Sequence, residues 1–168
     1  MRRIVVILIA LVLSLDATAQ SLKIGSKAPD LTGLVWLTRP PAEHRRTTLV
    51  EFLHSSNAKA YERIVELERL ATHHADSLNV VVVTRMDDSA AHDMLANAPF
   101  YVVSAEPRFM RSVGVQFAPY AYVACPKRHT LWCGNPIFLE DKQLEILISD
   151  GTYHDRPLRK AASGRARR

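Results

Sequence analysis

The sequence predicts an α/β fold with one central mixed sheet, entered through a βαβ unit and completed by a C-terminal ββα unit. Three stretches carry this reading. TLVEFL at 48–53 is followed by apolar residues spaced three and four apart, and then by NVVVVT at 79–84. Residues 120–124 and 130–133 flank a short turn as two strands, and DKQLEILIS at 141–149 is an amphipathic helix. Strand, long helix and strand in that order make a right-handed crossover between parallel strands, whereas a short turn joins antiparallel ones.

Taken in order, 23–31 contains Gly25 and Pro29 and reads as an extended lead-in. Residues 34–37 form a short apolar strand that Pro40 and Pro41 end, and 43–46 is a polar loop. The β-branched, apolar composition of 48–53 is that of a buried strand. Ala60, Tyr61, Ile64, Leu67, Leu70 and Ala71 then fall on one helical face, with Glu62, Arg63, Glu66 and Arg69 expected in solvent. The four valines at 80–83 require cover on both faces of the next strand. Asp88 or Ser89 can cap a second helix that runs to about Asn97. A strand at 100–103 follows, and Pro107 suits the first turn of a brief helix through Arg111. The strands at 120–124 and 130–133, around a turn at 126–129, form a hairpin, and the helix at 141–149 closes the domain.

The termini set the expected compartment. Arg2 and Arg3 precede an unbroken apolar run at 4–13, and the segment closes on Ala17, Thr18 and Ala19. These are the parts of a cleavable secretory leader, and the run is shorter than the ~20 residues that span a bilayer. Residues 1–19 are therefore expected to be a signal peptide, 20–153 a single domain, and 154–168 a basic tail without apolar periodicity, expected to be disordered. The expected location is the periplasm of a bacterium or its exterior, with no membrane span after cleavage.

The formal net charge of +5 is an end effect. The tail sets Arg156, Arg159, Lys160, Arg165, Arg167 and Arg168 against Asp155, and the leader sets two arginines against Asp16, which leaves the body almost neutral. A nucleic-acid partner is not expected from such a distribution.

Several words in this order resemble a known family. KIGSKAPD at 23–30 is similar to the lead-in of the redoxin branch of the thioredoxin superfamily, and TLVEFL with its helix to the elements flanking the CxxC motif of TlpA-type proteins. VGVQFAP at 113–119 resembles the segment whose proline is cis in that superfamily. The resemblance covers roughly residues 22–149. It implies a thioredoxin-like three-layer fold, of the redoxin/TlpA (AhpC/TSA-like) type.

In that family a cysteine opens the helix, where the free N–H groups and the helix dipole stabilise a thiolate, and a second cysteine three residues on resolves the mixed disulfide. Aligned on the resemblance, those positions fall on Asn57 and Ala60. Neither side chain can exchange disulfides, and no cysteine lies between Gln20 and Ala124.

Cys125 and Cys133 are the remaining thiols. With a turn at 126–129, Cys125 faces Thr130 and Cys133 faces about Tyr122, out of register for a bridge. Two partly buried small side chains are the plainer reading; a redox pair at the far end of the sheet is the functional one.

Other chemistry is thinner. His73 and His74 are adjacent and should diverge, so they offer no joint metal face, and no metal or other cofactor is expected. His54 lies where strand ends meet helix starts, a place that lines clefts, but the sequence shows it no carboxylate or nucleophile partner. Asn57, Lys59 and the N–H groups of the helix start could receive an anion, or Ser55, Ser56 or Asn57 could simply cap the helix. The resemblance further implies that Ala118, before Pro119, presents backbone groups to an extended peptide, a pairing that needs no thiol.

Two functions follow as expectations. One is a non-catalytic protein- or peptide-binding module whose groove includes His54, Ser56, Asn57, Lys59, Ala118 and Pro119. The alternative is a thiol-disulfide oxidoreductase or antioxidant protein of the redoxin family using Cys125 and Cys133.

Overall fold

The computed structural model describes residues 22–42 and 46–150. The expected leader, the tail and most of the polar loop at 43–46 lie outside them.

Six strands form one sheet: β1 (Val35–Trp36), β2 (Thr47–Phe52), β3 (Leu78–Arg85), β4 (Tyr101–Ala105), β5 (Tyr120–Ala124) and β6 (Thr130–Gly134). Four helices accompany them: α1 (Ala60–His73), α2 (Ser89–Leu95), α3 (Pro107–Ser112) and α4 (Asp141–Ser149). The strand order is β1-β4-β3-β2-β5-β6, with β2, β3 and β4 parallel and β1, β5 and β6 antiparallel to their neighbours. This is the predicted mixed sheet, with β2-α1-β3 as the crossover and β5-β6-α4 as the closing unit.

Alternation along the strands divides the core into two layers. Leu49, Val80, Val82, Val102 and Val123 pack under α1, α2 and α4 through Ile64, Leu67, Leu70, Leu95 and Leu144. On the other face Val50, Phe52, Val81, Val83, Val103 and Tyr122 pack against Val113, Val115, α3 and the segment before β1. The valines of β3 are covered on both sides, as a central parallel strand requires. Fully burying each leucine or valine is worth about 1.5–3 kcal/mol, so these two layers are what hold the sheet.

The lead-in is more than extended. Gly25 donates to Thr130 O, Ala28 to Arg128 O and Thr130 back to Ser26 O, so it runs beside the β5–β6 turn. Arg128 closes that turn with φ 65 and its guanidinium reaches the carbonyl of Pro29 at 3.1 Å.

Three expectations about α1 need correction. Tyr61 is 72% exposed, because one residue past Ala60 turns the chain about 100° off the buried stripe. Arg63 is not solvated: it pairs with Glu51, a wholly buried residue of β2, through contacts of 3.1 and 2.8 Å. His73 and His74 do not diverge; their rings meet edge to face with centroids 4.6 Å apart. Burial and the neighbouring His73 depress the His74 imidazole.

Among the described residues no helix is long and apolar enough to cross a membrane, and no group of three or more His, Cys, Asp or Glu is arranged to hold a metal ion.

Candidate functional site

The C-terminal ends of β2 and β3 meet the start of β5 at one end of the sheet, and the residues of interest gather there. The ladder ends at Leu53, whose N–H donates to Val83 O at 3.0 Å, and the chain then turns through 54–59 into α1. Asn57 organises the turn. Its N–H donates to His54 O, its carbonyl accepts from Ala60, and its Oδ1 accepts the Lys59 N–H at 2.9 Å.

The other end of the same amide reaches across to the segment before β5. Asn57 Nδ2 donates to the carbonyl of Ala118 at 2.9 Å. A backbone donor on one side and a backbone acceptor on the other fix which end of the carboxamide is oxygen. The anion-receiving role of the turn is thereby reduced, since the Lys59 and Ala60 N–H groups are already taken.

The acceptor is held in place by the chain around it. Helix α3 ends in a Schellman motif, with Gly114 N–H on Arg111 O and Val115 N–H on Met110 O. Gly114 supplies the left-handed conformation at φ 77 that the motif needs. The chain then runs through Val115 and Phe117 to Ala118, and the Ala118–Pro119 peptide is cis, as the resemblance implies. Phe117 is 61% exposed and rests edge to face on Tyr120, centroids 5.9 Å apart.

Next to His54 stands a carboxylate that the sequence did not show. Asp88, the cap of α2, lies 3.4 Å from His54 Nδ1 through Oδ2. Its carboxylate also accepts from Ser55 N at 2.8 Å, Ser55 Oγ at 2.5 Å and Ala91 N at 3.0 Å. Burial works to raise this carboxyl, yet the Ser55 and Ala91 hydrogen bonds, with His54 beside them, hold it below its ordinary value.

Ser56 completes the cluster, its N–H 3.1 Å and its Oγ 2.9 Å from the same Nδ1. An N–H pointing at Nδ1 means that the neutral ring carries its proton on Nε2. Ser, His and Asp here do not form a hydrolytic relay. A relay needs hydroxyl and carboxylate on opposite ring nitrogens, whereas both converge on Nδ1.

The groove opens as a cavity of about 460 Å³ lined by His54, Ser56, Asn57, Ala118, Phe117 and Arg111, among others. Four predicted residues, His54, Ser56, Asn57 and Ala118, thus share one wall. Lys59, though exposed, and Pro119, which leads into β5, do not line the cavity. Ala60 does not face the groove: it is 2% exposed and packs into the layer under α1. Arg85, Arg111 and Phe117 were missed, because a lone arginine or phenylalanine in a sequence carries no sign of what it will stand beside.

Beneath the turn lies the Glu51–Arg63 pair. Burial raises the Glu51 carboxyl, and the Arg63 hydrogen bond and charge oppose that rise.

The thiols are apart. Cys133 pairs in register with Tyr122, while Cys125, buried past the end of β5, bonds through its N–H to His129 O; the tight turn begins one residue earlier than expected. Three residues of strand, roughly 10 Å, separate the two levels, too far for a bridge without backbone movement. Only Cys125 is at the far end of the sheet, where it lines a second cavity of about 520 Å³ with Trp36 and Tyr122. The Cys133 thiol points to Leu22 O at 3.7 Å. Burial, and then Cys133 beside it, push the Tyr120 hydroxyl up to about 12.

No protein-family description matches the chain, and no curated protein matches it either. Solved structures do. A thioredoxin-like protein in its oxidized form superposes with a TM-score of 0.64 at 17% identity, over 77% of this chain and 99% of that one. A putative thiol:disulfide interchange protein DsbE from Chlorobium tepidum gives 0.64 at 22% identity, over 76% and 97%. The thioredoxin domain of a thiol-disulfide oxidoreductase from Bacteroides vulgatus gives 0.61 at 14%, over 77% and 98%. At such identities the likeness establishes the fold: this domain is thioredoxin-like.

Proposed function

We propose that this thioredoxin-like domain is a non-catalytic module that works outside the cytoplasm and binds an extended segment of a protein or peptide in the groove lined by Asn57, Phe117 and Ala118. One observation carries the reading. Asn57 stands in the turn where the family resemblance would put a reactive thiol, and its side chain is committed to Lys59 and Ala118. A carboxamide held this way is no nucleophile, whereas the surface around it keeps the means to bind. Phe117 is exposed next to Ala118 and offers an incoming segment apolar surface, although the Ala118 carbonyl is already taken by Asn57. The secretory leader read at 1–19 supports the location.

The neighbours' names also favour the oxidoreductase reading, which would need Cys125 and Cys133. Their separate levels in the sheet weigh against it.

The test is a pull-down from native periplasm using the intact protein, Ser56→Trp and Ala118→Trp. Ser56 is exposed and Ala118 half-buried, so bulk there fills the groove and spares the core. Loss of one and the same partner from both variants supports the groove. Retention of every partner by two folded variants removes it.

A further inference from the structure

Resting on that groove reading, we propose that the cavity beside Asn57 selects an acidic segment: an extended peptide carrying a carboxylate next to an apolar side chain. The wall contains Arg111 and Arg85, the latter paired with Asp87, and no aspartate or glutamate lines it. Nearby carboxylates are already engaged. Asp87 takes the guanidinium of Arg85 through two contacts, Glu106 pairs with Arg108 at 2.6 Å, and Asp88 is enclosed by Ser55 and Ala91. Arg111 has no acidic partner among the described residues. The groove therefore carries the unpaired positive charge of Arg111 although the body of the protein is almost neutral.

The rest of the wall is apolar. Pro107, Met110, Val115 and Phe117 line it, on the α3 side that also bears Arg111. A cavity of about 460 Å³ with a cation beside apolar surface has room for one or two residues of an extended peptide. A guanidinium without a partner favours a planar carboxylate, which it can meet with two hydrogen bonds, and the contact is screened by salt.

A pooled library of terminally blocked random heptapeptides, offered to the immobilised full chain, to Arg111→Gln and to Ala118→Trp, tests this, with captured peptides identified by mass spectrometry. The expected result is enrichment of about tenfold in peptides with an acidic residue beside an aromatic or aliphatic one. That enrichment should fall severalfold at about 0.5 M salt and in Arg111→Gln, which remains folded because its side chain is exposed. Capture above the Ala118→Trp control without acidic enrichment, or with enrichment of basic peptides, overturns the selectivity and leaves the groove reading standing. No capture above that control overturns both.

Discussion

The side-chain amide of Asn57 donates to the carbonyl of Ala118 at 2.9 Å, tying the turn after β2 to the segment that leads into β5 across 61 residues of sequence. Its Oδ1 holds the Lys59 N–H at the same time, so one small side chain ties the turn and the segment before β5 into one wall of the groove.

Asn57→Ala removes two hydrogen bonds and is expected to cost about 1–2 kcal/mol in urea unfolding. Asn57→Asp keeps an acceptor for Lys59 but sets a carboxylate against the Ala118 carbonyl. Its proton is then held more tightly in the folded state than in the unfolded one, so this variant loses stability as pH rises through the raised value. At pH 7 it should be less stable than Asn57→Ala and at pH 4 more stable; the reverse order would mean that the amide does not face the carbonyl.

The Glu51–Arg63 pair predicts a second pH dependence. Arg63→Met leaves a buried carboxylate unpaired and should cost about 3–5 kcal/mol at pH 7. Burial already raises Glu51 above its ordinary 4.5, and loss of Arg63 raises it further. Stability of the variant should therefore be highest at low pH and decline from about 4.5 upward through the raised value. Glu51→Leu combined with Arg63→Met should restore most of the loss, measured by urea titrations across pH.

Asp88 behaves in the opposite sense. Its depressed value means that the ionised form stabilises the fold above 3.8, and that this contribution is lost as pH falls through the lower folded value. Asp88→Asn should cost about 1.5–3 kcal/mol at neutral pH, since Ser55 and Ala91 lose an ionised acceptor. The gap between variant and wild type should close in acid.

For the thiols, two free groups per chain are expected with and without prior reduction. Cys133 is half-buried and should react with a thiol reagent in the folded protein, while buried Cys125 should react only on unfolding. A single chain that titrates no thiol before reduction and two after it would place the cysteines closer than their register allows.

The elements were legible because each has a strong period or a strong marker. DKQLEILIS gave α4 at its observed bounds, and Pro107 marked the start of α3. The site was legible only where neighbours in sequence are neighbours in space. His54, Ser56 and Asn57 lie in one turn, and Ala118 was reached through the family resemblance. The Asp88 contact to His54 and the Arg63 contact to Glu51 join different elements, so no local pattern could announce them. Arg63 in particular reads as solvated by helical period; its partner is a glutamate inside a strand whose other residues are almost all buried and apolar or β-branched.

The central claim is that the groove binds without exchanging disulfides, and insulin reduction under a dithiol supply tests it most directly. Wild type and the Cys125→Ser, Cys133→Ser double variant should both run at the background rate. A wild-type rate well above background that disappears in the double variant would contradict the account and make this protein an oxidoreductase working through those two cysteines.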